Sequence, residues 1–510
     1  MGIDEKSVVQ QQQLLLSLVA ATALAGIAWY HREIILASKR NQGLPKDVVL
    51  PPHASSWIPF VGSAIEMGTG IVPFIRKKSR QLGNHALFTA TIMGQRFVFF
   101  AHAEDVNLVF KSKYNKYLDS SSLQKDFVRR VVAFTNDEVE ETFQDDIIKT
   151  GKTQYNHYLF QKEELSRSTA KVQEHFWKHS VPSILDPDQQ EWTQRELFDM
   201  VFCAIFKAQA APIMSDCLEG DEVLEAFRSF DKGVIPMFNN APNMFTRSAR
   251  QARSYLLEKI QSPQFQDGAS PLMQERKNSL DVRPETLHKA NVAVLWATVG
   301  NSVPAIFWTL LRLMEDREAW NACRSQVDQL YAKRKAAAQD ESQVRLTLSD
   351  LDELTLLESA FWEVLRLYNM NFTARTVTED FVLETKTQRY FIQKGSQLMP
   401  FWGILHYDPD VFDNPQQFQY DRFIGDKEYT FKSGAKVNGF PVVAFGGGEH
   451  LCPGRKFISY EVRLFSAMLM HHYDMQLAPG ESIPGIDLAN QGIGVSHPDR
   501  KVKTLIRERI

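Results

Sequence analysis

The hydrophobic pattern changes rhythm several times along the chain. No side chain from Ser7 to Tyr30 is charged, and Leu14 to Tyr30 is almost wholly apolar. At about 1.5 Å per residue such a helix matches a bilayer core of roughly 30 Å. Pro45, Pro51, Pro52 and Pro59 follow, and their fixed φ predicts a stiff, extended linker. Short β-like runs lie at Leu87–Met93, Arg96–Ala101, Phe381–Glu384 and Tyr390–Ile392. From Gln124 to Lys333 apolar positions recur at helical spacing with few glycines. Within that region Pro284–Asp316 is apolar on more than one face, which predicts a buried central helix. Another helix is predicted from an N-cap at Ser349 to Tyr368. The polar runs Gln261–Arg276 and Lys333–Arg345 read as surface loops. The pattern predicts a mainly α fold with small β-sheets, preceded by one N-terminal transmembrane helix. Its expected divisions are 1–12 a short lumenal N-terminus, 13–31 the anchor, 32–60 a Pro-rich linker and 61–510 one large domain.

Charge orients the anchor. Trp29 and Tyr30 form an interfacial aromatic pair, and Arg32, Lys39 and Arg40 come next, so the C-terminal side is expected in the cytosol. Ala21-Thr22-Ala23 resembles a signal-peptidase site, but Asp4, Glu5 and Lys6 make an acidic start where a signal peptide is basic. An uncleaved anchor is therefore expected. The 58 basic and 61 acidic residues leave a net charge of −3, which gives no electrostatic case for nucleic-acid binding. Four cysteines without a CxxC pair exclude a disulfide framework and a cysteine-rich zinc site. Any special cysteine must be special for its own chemistry.

Cys452 stands out. It lies in Phe445-Gly-Gly-Gly-Glu-His-Leu-Cys452-Pro-Gly-Arg455, directly before a helical pattern. Glycines let backbone pass close to a flat ligand, and free N–H groups at a helix mouth favour the metal-binding thiolate. Glu363 and Arg366, at i and i+3 in ESAFWEVLRLY, can pair on one helix face, and burial would demand it. Arg422, in the segment Pro415 to Phe423, could complete a Glu–Arg–Arg cluster.

In this order and spacing the pieces resemble the cytochrome P-450 superfamily of haem-thiolate enzymes. The resemblance runs the length of the chain: anchor, proline-rich segment, long central helix, ExxR pair, arginine segment and cysteine loop. It implies the P-450 fold and heme b, with Cys452 as the axial thiolate of the iron and Phe445 near that sulfur. Glu363, Arg366 and Arg422 would then be structural, locking the scaffold on the cysteine side. The family usually has arginine two residues before the cysteine, facing a haem propionate. Here that residue is His450, so Arg375 is the candidate for a compensating contact. The resemblance makes 61–510 a haem-thiolate catalytic domain and gathers the 34 phenylalanines around haem and substrate.

The central helix departs from the family. Where an acid and a threonine usually relay protons, this chain has Gly300 and Asn301, followed by Ser302. An amide holds a water but does not relay a proton as a hydroxyl does. Pro304 cannot donate to the Gly300 carbonyl, which predicts a bend and a groove where Asn301 and a water face the iron. Gly300, Asn301 and Ser302 are thus the catalytic candidates, with Trp296, Met370 and Ile493 as pocket residues. The Asn301-x-x-Pro304 variation is similar to the branch containing prostacyclin synthase, cholesterol 7α-hydroxylase and sterol 12α-hydroxylase, and His497-Pro498 fits it too.

The resemblance implies a monooxygenase of the endoplasmic-reticulum membrane, single-pass with its catalytic domain cytosolic, oxidising a lipophilic polycyclic steroid or terpenoid. Its electrons would come from NADPH only indirectly, through NADPH-cytochrome P-450 reductase, with cytochrome b5 as a second donor. Lys427, Lys432, Lys436 and Lys456 are candidates for the reductase surface. The alternative is an isomerase of the same fold that acts on a peroxide without a reductase; a third is a non-catalytic haem-binding protein.

Overall fold

The computed structural model describes residues 43–56, 58, 60–184, 191–337, 344–369, 373–448, 451–488 and 494–509. The expected anchor and most of the N-terminal part before the linker strands lie outside them, as do Met370, His450 and Ile493. The chain divides into two compact units, Met1–Ser120 with Thr373–Ile404, and Ser121–Phe372 with Leu405–Ile510.

The first unit holds most of the β-structure. Its strands are β1 (Val48–Val49), β2 (His53–Ala54), β3 (Leu87–Ile92), β4 (Gln95–Phe100) and β5 (Leu118–Asp119). The second unit supplies β6 (Thr193–Glu196). The first unit resumes with β7 (Arg375–Val377), β8 (Phe381–Glu384), β9 (Arg389–Ile392) and β10 (Gln397–Met399). They form one sheet ordered β1-β9-β8 and another ordered β2-β3-β4-β10-β7-β5. The segment expected to be a linker thus contributes two strands, because its extended backbone offers donors and acceptors that a sheet can use. Met93 and Gly94, both at positive φ, close the β3–β4 hairpin, the conformation a two-residue hairpin turn demands. Phe88 stacks on Phe99 at 5.3 Å, and Phe74 meets Phe99 edge-on at 5.5 Å. Phenylalanine therefore packs this sheet as well, a correction to the expectation that it gathers at one site.

The second unit is mainly helical. Its main helices for the argument are α1 (Lys162–His175), α2 (Leu197–Ile213), α3 (Asp221–Phe238), α4 (Pro284–Val299), α5 (Ser302–Glu315), α6 (Thr355–Tyr368) and α7 (Arg455–His472). A small sheet orders β11 (Tyr473–Leu477), β12 (Lys503–Glu508) and β6. The expected central helix is real but broken at Gly300–Asn301 into α4 and α5. Pro284–Glu315 is long and apolar enough to cross a membrane, yet it is mostly buried inside the fold, as a core helix is. Helix α5 packs against α2, α6 and α7.

Three sequence expectations fail locally. Thr347, not Ser349, caps the helical turn before α6, through a reciprocal bond with Asp350. Threonine three residues before an acid satisfies two free N–H groups at once, and a Ser349 cap would forgo this. The polar run at 261–276 carries two short helices, started by Ser262 and Ser270 before prolines. The run from Lys333 continues the helix Arg317–Ala337.

Candidate active site

Helix α6 turns Leu357, Ala360, Phe361, Val364 and Leu365 inward, so Glu363 and Arg366 are carried into the core with them. Both side chains are fully buried. Arg366 Nε and Nη2 donate to the two Glu363 oxygens at 2.7 Å each, and Arg422 Nε donates to the same carboxylate at 3.0 Å. One carboxylate faces two cations, so the second charge needs other acceptors. They are backbone carbonyls: His406 and Pro415 for Arg366 at 2.7 and 2.6 Å, Asp413 and Gln417 for Arg422 at 2.8 and 3.2 Å. A buried charge is tolerable only when its hydrogen-bonding groups are met in this way.

This cluster reaches the cysteine loop through two neutral side chains. His406 Nε2 accepts the Val443 N–H at 3.0 Å, and Asn369, at the end of α6, donates to the Ala444 carbonyl at 2.9 Å. Burial and the nearby Arg366 push the His406 imidazole down to about 3, so it is a neutral acceptor. The pair fixes the strand-like segment that leads into Phe445.

The loop then needs its glycines. Gly446 and Gly448 lie at φ 72° and 60°, in the left-handed region. The Cys452 N–H closes the loop onto the Phe445 carbonyl at 2.9 Å. The Phe445 ring turns edge-on to Trp362, with centroids 5.7 Å apart. Backbone N–H groups of Gly454 and Arg455 donate to the Cys452 sulfur, yet burial outweighs them and raises the thiol above its ordinary value.

The third part is the helix break. Gly300 N–H still bonds the Trp296 carbonyl at 2.8 Å, and α5 restarts at Ser302. A Cβ at Gly300 would lie 3.0 Å from the Trp296 indole nitrogen and 3.2 Å from Asp231 Oδ1. Glycine therefore makes room for the Trp296–Asp231 hydrogen bond of 2.9 Å. Asn301 Oδ1 accepts the Val495 N–H at 3.3 Å, and Gly494 sits so close that a Cβ there would overlap that oxygen. The amide thus holds the 494–495 segment, a correction to the expectation of a water-binding group turned to the iron. Ser302 Oγ donates to the Thr298 carbonyl at 2.9 Å and lies 3.3 Å from Glu461 Oε2 on α7.

The cytochrome P450 family model matches residues 51–504. The chain belongs to the cytochrome P450 family. It is 25% identical to the protein described as cytochrome P450 7B1 of Mus musculus over 472 residues, covering 89% of each chain. It is 26% identical to a 7-alpha-hydroxycholest-4-en-3-one 12-alpha-hydroxylase of Oryctolagus cuniculus over 519 residues, 97% of this chain and 99% of that one. These relatives fall in the branch that the Asn301-x-x-Pro304 pattern indicated. Among solved structures, a retinoic acid-bound cyanobacterial CYP120A1 matches with a TM-score of 0.67 at 18% identity, over 90% of this chain and 99% of that one. That likeness concerns the fold alone.

As a P450 this chain is a haem-thiolate monooxygenase, an oxidoreductase of a family that generally draws NADPH electrons from redox-partner reductases. The cysteine loop fits the haem group: a soft sulfur, two backbone N–H groups aimed at it and the positive Arg455 beside it. Cys203, Cys217 and Cys323 are also free thiols, all raised by burial, and none has a glycine loop before it.

Other candidates are more scattered. Arg375 is buried at the head of β7, where its guanidinium bonds Thr373 Oγ1 and the Ala374 carbonyl. Lys427 bonds the Arg422 carbonyl, Lys436 pairs with Glu428, and Lys456 lies over the Phe160 ring. That basic surface is therefore partly neutralised by its own neighbours. Trp296, Gly300 and Asn301 line a cleft of about 450 Å³ together with Asp231, Val495 and His497. None of its described lining residues belongs to the cysteine loop.

Three residues escaped the sequence reading. Asp231 sits among the apolar residues of α3, bonded to Trp296 and 4.0 Å from His497 Nε2, and burial raises its carboxyl. Glu461 and Gln209 lie deep in α7 and α2. Burial holds the Glu461 carboxyl well above the ordinary range, with Ser302 and Gln209 beside it. An acid interrupting an apolar helical stripe was the available signal in both helices.

Proposed function

We propose that this P450 hydroxylates a rigid, lipophilic polycyclic substrate of the steroid class. The observation that carries the reading is the similarity along nearly the whole chain to sterol hydroxylases, joined to the Gly300–Asn301 break that replaces the usual acid–alcohol pair. The reaction consumes substrate, dioxygen, NADPH and a proton, and yields the alcohol, water and NADP⁺. Haem, held by the Cys452 thiolate, supplies dioxygen activation and insertion of one oxygen atom.

The protein's part is positioning and proton storage. Gly454 and Arg455 N–H groups hold the ligand sulfur, while Asn369 and His406 hold the backbone before it. Asn301 positions Gly494–Val495 beside α4. Glu461 keeps a proton on its carboxyl next to Ser302 Oγ. His450 and Arg375 are proposed as haem propionate partners from sequence pattern alone. Residues 13–31 are proposed to anchor the enzyme in the endoplasmic-reticulum membrane with the catalytic part cytosolic. Electrons then come from NADPH-cytochrome P450 reductase.

Purified enzyme reconstituted with that reductase should consume NADPH only when a sterol is present and release a hydroxylated sterol. Product formed from a peroxide substrate with no reductase, and none from sterols, would favour the isomerase reading and overturn this one.

A further inference from the structure

Outside the haem machinery, one group of side chains among the described residues has metal-ligand chemistry. His175 ends α1, His179 lies one turn on in a wider π-type turn, and Glu219 follows the short turn Asp216–Leu218 that links α2 to α3. One ligating atom from each of the three lies within 4.8 Å of the others. His175 Nδ1 is 3.0 Å from one Glu219 oxygen, and His179 Nε2 is 3.5 Å from the other.

An ordinary His–Glu hydrogen bond does not account for the group. Both nitrogens are shielded from solvent, and neither has a hydrogen-bond partner in suitable alignment. Atoms bound to one zinc ion at about 2.0–2.2 Å stand roughly 3.3 Å apart in a tetrahedron, so three ligating atoms within 4.8 Å of one another need to draw in only slightly to share an ion. Two imidazoles and a carboxylate suit a borderline ion such as zinc and leave a fourth position for water.

We propose that His175, His179 and Glu219 form a zinc-class divalent metal site, distinct from the haem site, that clips the turn after α1 to the α2–α3 connection. Between the two histidines Phe176 packs on Phe465 and Trp177 on His472, both from α7. A metal clip would therefore steady the far face of the helix that starts beside Cys452. This role is structural, and Trp177 gives it an optical reporter.

The test uses the full-length holoenzyme freed of loosely bound metal with a chelator, then titrated with Zn²⁺ or Co²⁺. Expected are about one Zn²⁺ per chain beyond the haem iron at micromolar affinity or tighter, a raised thermal midpoint, and visible Co²⁺ bands of low-coordinate N/O type. The double variant H175Q/H179Q should lose binding, at least tenfold in affinity, while keeping its haem absorption spectrum. Should that variant not fold, zinc protection of His175 and His179 in the unaltered protein from an imidazole-modifying reagent, read by mass spectrometry, decides the matter. Binding that survives the double variant, or zinc that leaves both histidines equally reactive, would overturn the proposal.

Discussion

Two buried carboxylates in the larger unit meet opposite fates. Glu363 faces two guanidinium groups, and the charge left over is taken up by four backbone carbonyls. Among the described residues Glu461 has no cation beside it: its neighbours are Ser302 and Gln209, and one of its oxygens is buried without a well-aligned partner. The first arrangement is a closed network and rigid, because every member would lose an ion pair by moving. The second is open, and burial with no cation beside it disfavours the charged form of its acid. A satisfied network suits a scaffold that must hold a ligand loop in one place. An under-satisfied one suits a place where protons or water rearrange.

The sharpest way to break the comparison is to remove the shared anion. Glu363→Gln leaves two buried guanidinium groups facing a neutral amide. We expect a loss of about 3–5 kcal/mol in stability, with haem content falling in parallel because His406 and Asn369 tie this region to the cysteine loop. Denaturant midpoints and the haem-to-protein absorbance ratio check it. A folded variant with full haem would mean that the loop does not depend on the cluster.

The two regions should also fail at opposite ends of the pH scale. His406 belongs to the closed network as a neutral base, its folded value about 3 against an ordinary 6.5. The unfolded chain binds this proton first, so the contribution is full above about 6.5 and is lost as pH falls toward 3, at up to ~1.4 kcal/mol per unit. His406→Gln should flatten that acid limb in equilibrium unfolding.

Glu461 is a neutral acid, its folded value raised above the ordinary 4.5. Its contribution is full below about 4.5 and is lost as pH rises toward the folded value, again at up to ~1.4 kcal/mol per unit. Glu461→Gln should therefore gain stability over the parent as pH rises above about 4.5, the gap widening until the folded carboxyl ionises. A gap independent of pH would mean that the carboxyl is already ionised in the fold.

Why one network was legible and the other was not follows from distance in sequence. Glu363 and Arg366 are one helical turn apart, and the cysteine loop is continuous, so each is a short local pattern whose resemblance to the family's motifs gave its role. Strands β3, β4, β8 and β9 were legible from local β-character, but the pairing of Phe97–Phe99 with Gln397–Met399 is set by tertiary packing across three hundred residues. Glu461 looks like an ordinary helix residue until α2, α5 and α7 are brought together. Asn301 shows the subtler failure. The break in the helix was readable from Gly300 and Pro304, but the destination of the amide depended on a loop nearly two hundred residues away.

The smallest expected effect isolates that amide. Asn301→Ala removes the acceptor of the Val495 N–H without crowding Gly494, as leucine would. The bond is long at 3.3 Å and the site is not fully enclosed, so about 1 kcal/mol of stability should be lost, the low end for an orphaned donor. If the amide only positions Gly494–Val495, the share of NADPH electrons recovered in hydroxylated product should fall while NADPH consumption stays near the parent rate, because a loosened segment misplaces substrate without touching electron supply. A variant that loses the 1 kcal/mol yet keeps full coupling would reduce Asn301 to a structural tie. One that stops consuming NADPH would return it to the catalytic role that its place in the helix first suggested.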